Sequence, residues 1–412
     1  MKPLALIVTG VLTLATASLA IADWPGFRGP NGNSEVSPKL NLSTIHRDTL
    51  KELWRAPLGD SFGQVSVADG KVFAFIKRDD AESAIALDAK TGKELWATRI
   101  DKTIADRQGG DGPRTTPAID GKKVYIYSTY QILDCLDADT GKLIWSHDIQ
   151  KEAKGQIPGW GNAASPVVVG NNVIIVGGGK DKGIMAFDKE SGKPSWSSTS
   201  ERHTHASPML ATILGTQQVI CFMQSGLVSV DPKTGAVLWT FSHKYNVSTG
   251  ASPVIGGKNG DIVYISAAYG VGAAACKISK EDGKWSAKGL WKTDGKNMNH
   301  WSTPVHVNGY IYGLVGQVSN NGPLTCIDIE TGEEKWSQKN FGTQGGLIRI
   351  DDKILLQTVK GDLVLVEPTP EKYTELGRVS ALTGKNWTMP TFSDGKIYAR
   401  NTAEVVCLEI SK

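Results

Sequence analysis

Three histidines in the segments between strand patterns are the side chains of this chain best suited to chemistry. His203 and His205 are separated by a single residue, and His300 lies much further along the chain. Imidazole nitrogens are common zinc ligands, but a zinc site takes at least three protein ligands. Only two of the histidines are local, and no carboxylate partner is evident beside them. The sequence therefore predicts no metal site.

Two other patterns have the composition of a functional motif without its spacing. The run Gly177-Gly178-Gly179-Lys180 resembles a phosphate-binding loop, yet it lacks the required spacing and the helix that must follow. Serine, histidine and aspartate are all present, but no nucleophile-elbow pattern exposes a serine between a strand and a helix. We therefore assign no catalytic residue and interpret the glycine run as a turn at a strand end.

An internal repeat indicates which elements position these side chains. Asp, Thr or Ser, Gly and Trp recur at offsets 0, +3, +4 and +8 in five units. The five units run over Asp88–Trp96, Asp137–Trp145, Asp188–Trp196, Asp231–Trp239 and Asp328–Trp336. Two degenerate units begin at Cys276 and at Leu365. The Asp carboxylate can accept backbone N–H bonds within a turn, and the Gly supplies a positive φ.

The spacing of the units predicts the fold. A β-branched or aromatic strand precedes each unit, and eight such strands recur about every 46 residues. Four antiparallel strands in roughly 40–50 residues are typical of a propeller blade. We predict an all-β, eight-bladed β-propeller of four-stranded antiparallel blades; a seven-bladed ring is the alternative. Leu50–Trp54 should pair with Val405–Ile410, so that an N-terminal strand joins the C-terminal blade and closes the ring.

The repeat, with Ala or Cys and then Leu before its Asp, resembles the tryptophan-docking repeat of the pyrroloquinoline-quinone-like propellers over residues 50–412. In that family the repeat Trp packs between blades as a structural residue. The resemblance extends this role to Trp54, Trp96, Trp145, Trp196, Trp239, Trp291 and Trp336. The segment Asp23–Gly32 looks like the Trp-Pro-x-Phe-Arg-Gly-Pro opening of secreted members from planctomycete-like bacteria.

Two groups of relatives make the resemblance ambiguous about function. Quinoprotein dehydrogenases use the quinone with calcium, and many carry adjacent cysteines and a catalytic Asp. This chain has no adjacent cysteines, and no calcium carboxylate set can be matched residue by residue. The propeller lipoprotein of outer-membrane protein assembly scaffolds partners, but this chain lacks the lipid-bearing Cys. The repeat therefore predicts a fold, and the function must be argued from a site.

Five cysteines cannot pair fully, and no CxxC pattern is present. Four of them, Cys135, Cys276, Cys326 and Cys407, are assigned to one slot on the third strand of their repeat. Residues in the same slot of different blades are too far apart for a disulfide. We interpret the cysteines as small buried residues.

The segments between blades carry the candidate site. They precede the innermost strands, so they should meet at the mouth of the central channel. Arg, His, Asn and Trp at a concave mouth suit an anionic, aromatic or sugar-like ligand, or a peptide. The candidate ligand- or partner-binding residues are Arg107, Arg114, Trp160, Asn162, His203, His205, Tyr245, Asn299, His300 and Trp387. The alternative is that these loops only cap the ring and bury its tryptophans.

The N-terminus predicts export. An uncharged run from Leu4 to Ala20 and the sequence Ala20-Ile21-Ala22 indicate a signal peptide over residues 1–22, cleaved before Asp23. An uncleaved anchor is the alternative. Residues 23–49 then form an N-terminal strap and residues 50–412 the propeller. We expect a periplasmic or secreted protein with no integral membrane segment after cleavage.

The charge balance bears on the class of partner. Lys and Arg number 45 against 42 Asp and Glu, for a net charge of +3, which argues against nucleic acid as a partner. The sequence favours a monomeric module that binds a protein, peptide or saccharide ligand, without a cofactor or an enzymatic activity. The alternative is a periplasmic quinoprotein-type oxidoreductase using pyrroloquinoline quinone (PQQ) with calcium. A polysaccharide hydrolase or lyase is a third possibility.

Overall fold

A computed structural model describes residues 23–40, 42–106 and 108–411. The predicted signal peptide lies outside the described residues. In the described ranges the chain forms 33 strands and one short helix, α1, over Ile149–Ala153. None of the helical residues in these ranges forms an apolar stretch long enough to cross a membrane.

The strands form eight antiparallel sheets arranged as blades, each with its first strand innermost. Blades 1 and 2 contain β3 (Ser66–Ala68), β4 (Lys71–Arg78), β5 (Ala81–Asp88) and β6 (Glu94–Lys102), then β7 (Ala118–Asp120), β8 (Lys123–Tyr127), β9 (Ile132–Asp137) and β10 (Leu143–Asp148). Blades 3 and 4 contain β11 (Val167–Val169), β12 (Asn172–Val176), β13 (Ile184–Asp188) and β14 (Pro194–Ser198), then β15 (Met209–Ile213), β16 (Thr216–Met223), β17 (Gly226–Val230) and β18 (Val237–Ser242).

The second half of the ring repeats this arrangement. Blades 5 and 6 contain β19 (Val254–Gly256), β20 (Ile262–Ala267), β21 (Gly272–Glu281) and β22 (Lys284–Lys292), then β23 (Val305–Val307), β24 (Tyr310–Leu314), β25 (Leu324–Asp328) and β26 (Glu334–Gln338). Blade 7 contains β27 (Gly346–Ile350), β28 (Lys353–Gln357), β29 (Asp362–Val366) and β30 (Glu375–Ser380), and blade 8 contains β31 (Thr391–Ser393), β32 (Lys396–Arg400), β33 (Glu404–Ile410) and β2 (Leu50–Pro57).

The ring closes as predicted from the sequence. Strand β2 pairs antiparallel with β33, with Leu50 opposite Ile410 and Pro57 opposite Glu404. The first long strand of the chain is therefore the outer strand of the last blade. The eight sheets confirm the eight-bladed fold and exclude the seven-bladed alternative.

The repeat tryptophans lie between blades. In six of the seven, the indole N–H donates to the carbonyl that follows the repeat Asp, or its counterpart, in the next blade. These pairs are Trp54–Ala89 (3.0 Å), Trp96–Ala138 (3.1 Å), Trp145–Lys189 (3.4 Å), Trp196–Pro232 (3.1 Å), Trp291–Ile329 (2.8 Å) and Trp336–Thr369 (2.8 Å). Trp239 instead donates to Gln218 of its own blade, because blade 5 lacks the repeat turn.

A small residue on the third strand lies between two aromatic rings in five blades. The register aligns Phe73–Ala86–Trp96, Tyr125–Cys135–Trp145, Tyr264–Ala275–Trp291, Tyr312–Cys326–Trp336 and Tyr398–Cys407–Trp54. The centroids of the two aromatic rings in each set lie 5.9–6.1 Å apart. A larger residue in the third-strand slot between them would push the rings apart. In blade 5 Trp291 is opposite Ala275, so the slot holds Ala275 and not Cys276, which the sequence had assigned to it. All five cysteines are buried free thiols.

The N-terminal strap lies on the face of the ring where the repeat turns between third and fourth strands emerge. Its strand β1 (Glu35–Val36) adds parallel to β27, so blade 7 has a fifth strand at its inner edge. Gly377 stands at the position of the repeat Trp in blade 7, and the backbone of Ile45 lies against it. The strap therefore fills the gap that the absent tryptophan would leave between blades 7 and 8.

Candidate functional site

The segments that precede the eight innermost strands meet around one cavity of about 410 Å³. We call it the channel-mouth cavity. Each blade contributes to it, through Gln64, Thr116, Ala163, Ser207, Gly250, Ser302, Gly345 and Met389. Its volume lies within the range of small-molecule sites, roughly 300–1,000 Å³.

Hydroxyl groups join neighbouring blades around the wall of this cavity. The backbone N–H of Gln64 donates to Thr116 Oγ1, that of Thr116 to Ser165 Oγ, and that of Ser165 to Ser207 Oγ, at 2.9–3.0 Å. Ser252 N donates in the same way to Thr303 Oγ1 (3.0 Å). The Ser/Thr-Pro step before an innermost strand therefore links blades as well as starting a strand.

The strap forms the floor of the cavity. Phe27 lines it, while Trp24 and Arg28 beside it are almost fully buried. Trp24 N donates to Val67 O (2.8 Å) in blade 1, and Arg28 Nη1 donates to Pro253 O (3.0 Å) beside blade 5. Burial lowers the pKa of Arg28 to about 10, so the guanidinium is still charged at neutral pH. The strap thus crosses the channel and closes it beneath the cavity.

Aromatic rings form an arc along one wall. Centroids are 5.0 Å apart for Tyr269 and His300, 4.1 Å for His300 and Trp301, 5.4 Å for Trp301 and Trp387, and 5.7 Å for Trp387 and Phe62. Apart from His300, these rings are only half-buried, so part of their surface remains exposed.

The two ionised side chains among the described lining residues neutralise each other. Arg114 Nη2 lies 2.7 Å from Asp106 Oδ2, and both side chains are largely buried. The guanidinium also donates to Gly112 O (2.8 Å) and Gly110 O (3.2 Å). Lys385, which lies over the Trp387 ring at 3.7 Å, donates to Gly109 O. Arg114 thus holds its own loop in place.

His205 forms a neutral pair with Ser248 at the cavity wall. His205 Nε2 lies 2.9 Å from Gly161 O, which can only accept, so Nε2 carries the proton. Nδ1 is then free to accept from the Ser248 hydroxyl, with which it is in contact. Burial lowers the pKa of His205 to about 4 and that of His300 to about 4, so both rings are neutral at pH 7.

Five of the ten residues proposed from the sequence line the cavity: Arg114, Trp160, His205, His300 and Trp387. Four others lie behind its wall: Asn162, His203, Tyr245 and Asn299. Asn162 Nδ2 donates to Ser128 O (3.1 Å), Asn299 Nδ2 to Leu314 O (2.8 Å) and Tyr245 OH to Thr204 Oγ1 (2.7 Å). These three side chains support the loops. Arg107 lies outside the described residues.

Sequence reasoning missed Phe27, Phe62, Tyr269, Trp301, Ser248 and Ser302 as lining residues. Trp301 and Phe27 could have been proposed from the sequence, because Trp301 directly follows the proposed His300 and Phe27 belongs to the Asp23–Gly32 motif. Tyr269 was missed because it lies in a loop between the second and third strands of blade 5, and only interblade segments were proposed, although both kinds of loop emerge on the same face of a propeller. Its position depends on how far that loop reaches over the channel.

The cavity does not fit the calcium ion of a quinoprotein dehydrogenase. Ca²⁺ takes six to eight oxygen ligands, several of them carboxylates. The single carboxylate among the described lining residues is Asp106, and it is paired with Arg114. Across the described ranges, His, Cys, Asp and Glu side chains form no group of three able to hold a metal.

Comparisons with known proteins agree with the fold. A family model described as outer membrane protein assembly factor BamB matches residues 80–298, just over half of the chain. No curated protein sequence matches.

Solved structures similar to this chain include proteins of different function. A quinohemoprotein alcohol dehydrogenase from Comamonas testosteroni is 14% identical with a TM-score of 0.66, covering 94% of this chain and 80% of that one. BamB from Moraxella catarrhalis is 16% identical with a TM-score of 0.60, covering 87% of this chain and 97% of that one. The computationally designed protein Ika8 is 13% identical with a TM-score of 0.59, covering 87% and 98%. At these identities the likeness shows the fold alone.

Proposed function

Since the chain belongs to the PQQ-like propeller family described as outer membrane protein assembly factor BamB, we propose that it is an exported binding module rather than an enzyme. It binds its ligand or protein partner through the interblade face, at the channel-mouth cavity. The predicted signal peptide supports the proposal of export to the periplasm or to the outside of the cell.

The observation that carries this proposal is the convergence of all eight interblade segments on one cavity. The strap closes the channel below, so a ligand enters from the interblade face. The aromatic rings supply contact area, and the hydroxyl and imidazole groups supply a few directed hydrogen bonds. The histidines that face the cavity are weak bases, and the ionised pair is internally satisfied, which favours binding over acid–base chemistry.

The test replaces Trp160, His205, His300 and Trp387 with Ala together. Purified protein is screened by thermal shift against libraries of saccharides, peptides and small aromatic compounds, and each hit is measured by calorimetry. We expect the hit to bind wild-type protein and not the quadruple variant. The matched control is Trp285→Ala, which removes a tryptophan from the outer hairpin of blade 5. Circular dichroism establishes that each variant retains the ring.

Two outcomes contradict the proposal. A hit that binds the quadruple variant as tightly as wild-type protein would place the binding site elsewhere. Specific uptake of PQQ with calcium, followed by dye-linked oxidation of an alcohol, would instead support the quinoprotein alternative.

A further inference from the structure

We propose that the ligand of the channel-mouth cavity is a neutral saccharide. This inference rests on the proposed function, because it names the chemical class that the same cavity selects. It depends on three properties of the described lining residues: their charge balance, the arrangement of their aromatic rings, and hydrogen-bonding groups that the chain itself leaves unused.

The charge balance disfavours an ionic ligand. Asp106 and Arg114 form a buried ion pair 2.7 Å apart, and backbone carbonyls occupy further donors of the guanidinium. An anionic ligand would have to compete with Asp106 for Arg114, and the next cation, Lys385, already lies over Trp387 and donates to Gly109 O. His205 and His300 add no charge, because burial keeps both rings neutral. A neutral ligand avoids this desolvation cost.

The aromatic rings suit a ligand with apolar faces. Trp301 and Trp387 are tilted by 37° at a centroid distance of 5.4 Å, and Phe27 lies at the floor. Trp160 lies next to His205, with its centroid 6.4 Å from the imidazole. The indole face carries partial negative charge, so it attracts the weakly positive C–H groups on the face of a pyranose ring.

Unused polar atoms suit the hydroxyls of the same ligand. Ser302 Oγ and His300 Nδ1 are buried beside the cavity, and neither has a hydrogen-bond partner in the chain. Both atoms lie beneath the cavity surface, so a ligand hydroxyl reaches them only after the side chain turns toward the cavity. A buried polar group without a partner costs about 1–3 kcal/mol, which such a hydrogen bond would recover. The Ser248 hydroxyl donates to His205 and can still accept from a ligand hydroxyl. A flat apolar aromatic compound would leave these groups unsatisfied.

The Ser248–His205 pair serves positioning rather than nucleophilic attack. A general base works best with a pKa near the operating pH, whereas burial lowers the pKa of His205 to about 4. Its other nitrogen donates to Gly161 O instead of to a carboxylate. The pair therefore occupies the Ser248 proton and leaves its oxygen as an acceptor at the cavity wall.

The experiment measures binding of neutral oligosaccharides by calorimetry and by quenching of tryptophan fluorescence. The probes are the hexaoses of cellulose, xylan, starch and chitin at millimolar concentration. The comparison probes are hexagalacturonate, PQQ, menadione and a neutral peptide library. We expect a neutral oligosaccharide to bind, and Trp387→Ala and Ser302→Ala each to weaken it by roughly tenfold or more. Trp285→Ala should leave binding unchanged.

The outcomes separate this inference from the proposed function. If a peptide, menadione or an anionic probe binds at the cavity and no neutral saccharide does, the ligand class is wrong but the binding surface stands. If a neutral saccharide binds wild-type protein and both cavity variants equally, the ligand class stands but the proposed site is wrong. If none of the neutral oligosaccharides binds at millimolar concentration, the saccharide inference is overturned.

Discussion

Gly92 lies directly against the ring of Trp54: a methyl group added at Gly92 would come within 2.5 Å of Trp54 Cε3. The two residues belong to different blades. The same contact joins Gly141 to Trp96, Gly192 to Trp145, Gly235 to Trp196 and Gly332 to Trp291. The Gly and Trp of the sequence repeat are therefore partners across each blade interface, in addition to the hydrogen bond that the indole N–H makes there.

Substitution of Gly92 tests this contact. Gly92→Ala should destabilise the protein by about 1–2 kcal/mol through its positive φ of 71° and by about 1–3 kcal/mol more through overlap with Trp54. Gly70→Ala is the matched control, because Gly70 has a φ of 70° and open space around its α-carbon. Urea unfolding measures both. Equal losses for the two variants would show that the Trp54 contact contributes nothing.

Trp239, whose indole N–H bonds within its own blade and not to the next one, gives a second prediction. Trp239 Nε1 and Ser229 Oγ both donate to Gln218 Oε1, each at 2.7 Å, in a buried environment. Gln218→Leu leaves both donors unsatisfied but also removes Gln218 Nε2, a buried donor that has no partner, so the free energy of unfolding should fall by about 1–3 kcal/mol. Gln217→Leu, on the exposed neighbouring position, should stay within about 0.5 kcal/mol of wild-type protein. A small effect of Gln218→Leu would mean that water replaces the amide.

The contribution of Arg28 to the strap is open to test by hydrogen exchange. Its side chain donates to Pro253 O (3.0 Å) and to Ser34 Oγ (3.1 Å). Arg28→Ala should accelerate amide exchange in residues 23–36 while the outer strands keep their protection, because only the strap loses contacts. Arg47→Ala, on an exposed part of the strap, is the control. Unchanged exchange in residues 23–36 would show that β1 and Trp24 hold the strap without Arg28.

Glu82 predicts an unusual pH dependence. Burial raises its pKa to about 7, with Asp101 contributing in the same direction, while hydrogen bonds from Thr129 and the charge of Arg114 oppose the shift. The folded state therefore holds the Glu82 proton more tightly than the unfolded state. This residue's contribution to stability is largest below the unfolded-state pKa and falls as pH rises toward about 7.

Substitution of Glu82 by Gln removes this dependence. Relative to wild-type protein, Glu82→Gln should gain about 3 kcal/mol in free energy of unfolding between about pH 4 and pH 8. The two proteins should differ least at the acidic end, where Glu82 is protonated in both states, and this provides an internal control. Urea unfolding across the pH range measures the difference. A gap that is constant with pH, or that narrows as pH rises, contradicts the burial effect.

The fold could be predicted from the sequence because its stabilising contacts recur at fixed offsets. Asp88 in its turn and Trp96 on the next strand are one example of a unit repeated along the chain, and repetition separates a pattern from chance. Ring closure was also predictable, because Leu50–Trp54 supplies an outer strand that the last unit lacks. The slot that holds Cys135 could be identified for the same reason, although in blade 5 the slot holds Ala275 and the assignment of Cys276 to it was wrong.

The site could be predicted only as a region. The sequence alone determined that the interblade segments meet at one end of the channel, because strand order in a blade sets the face on which each loop emerges. Only the tertiary structure decided that His205 faces the cavity while His203, two residues away, lies behind its wall, and that the strap crosses the channel to supply Phe27 as the floor. Irregular backbone has no period, so its side-chain directions follow from contacts with other blades that no local pattern records.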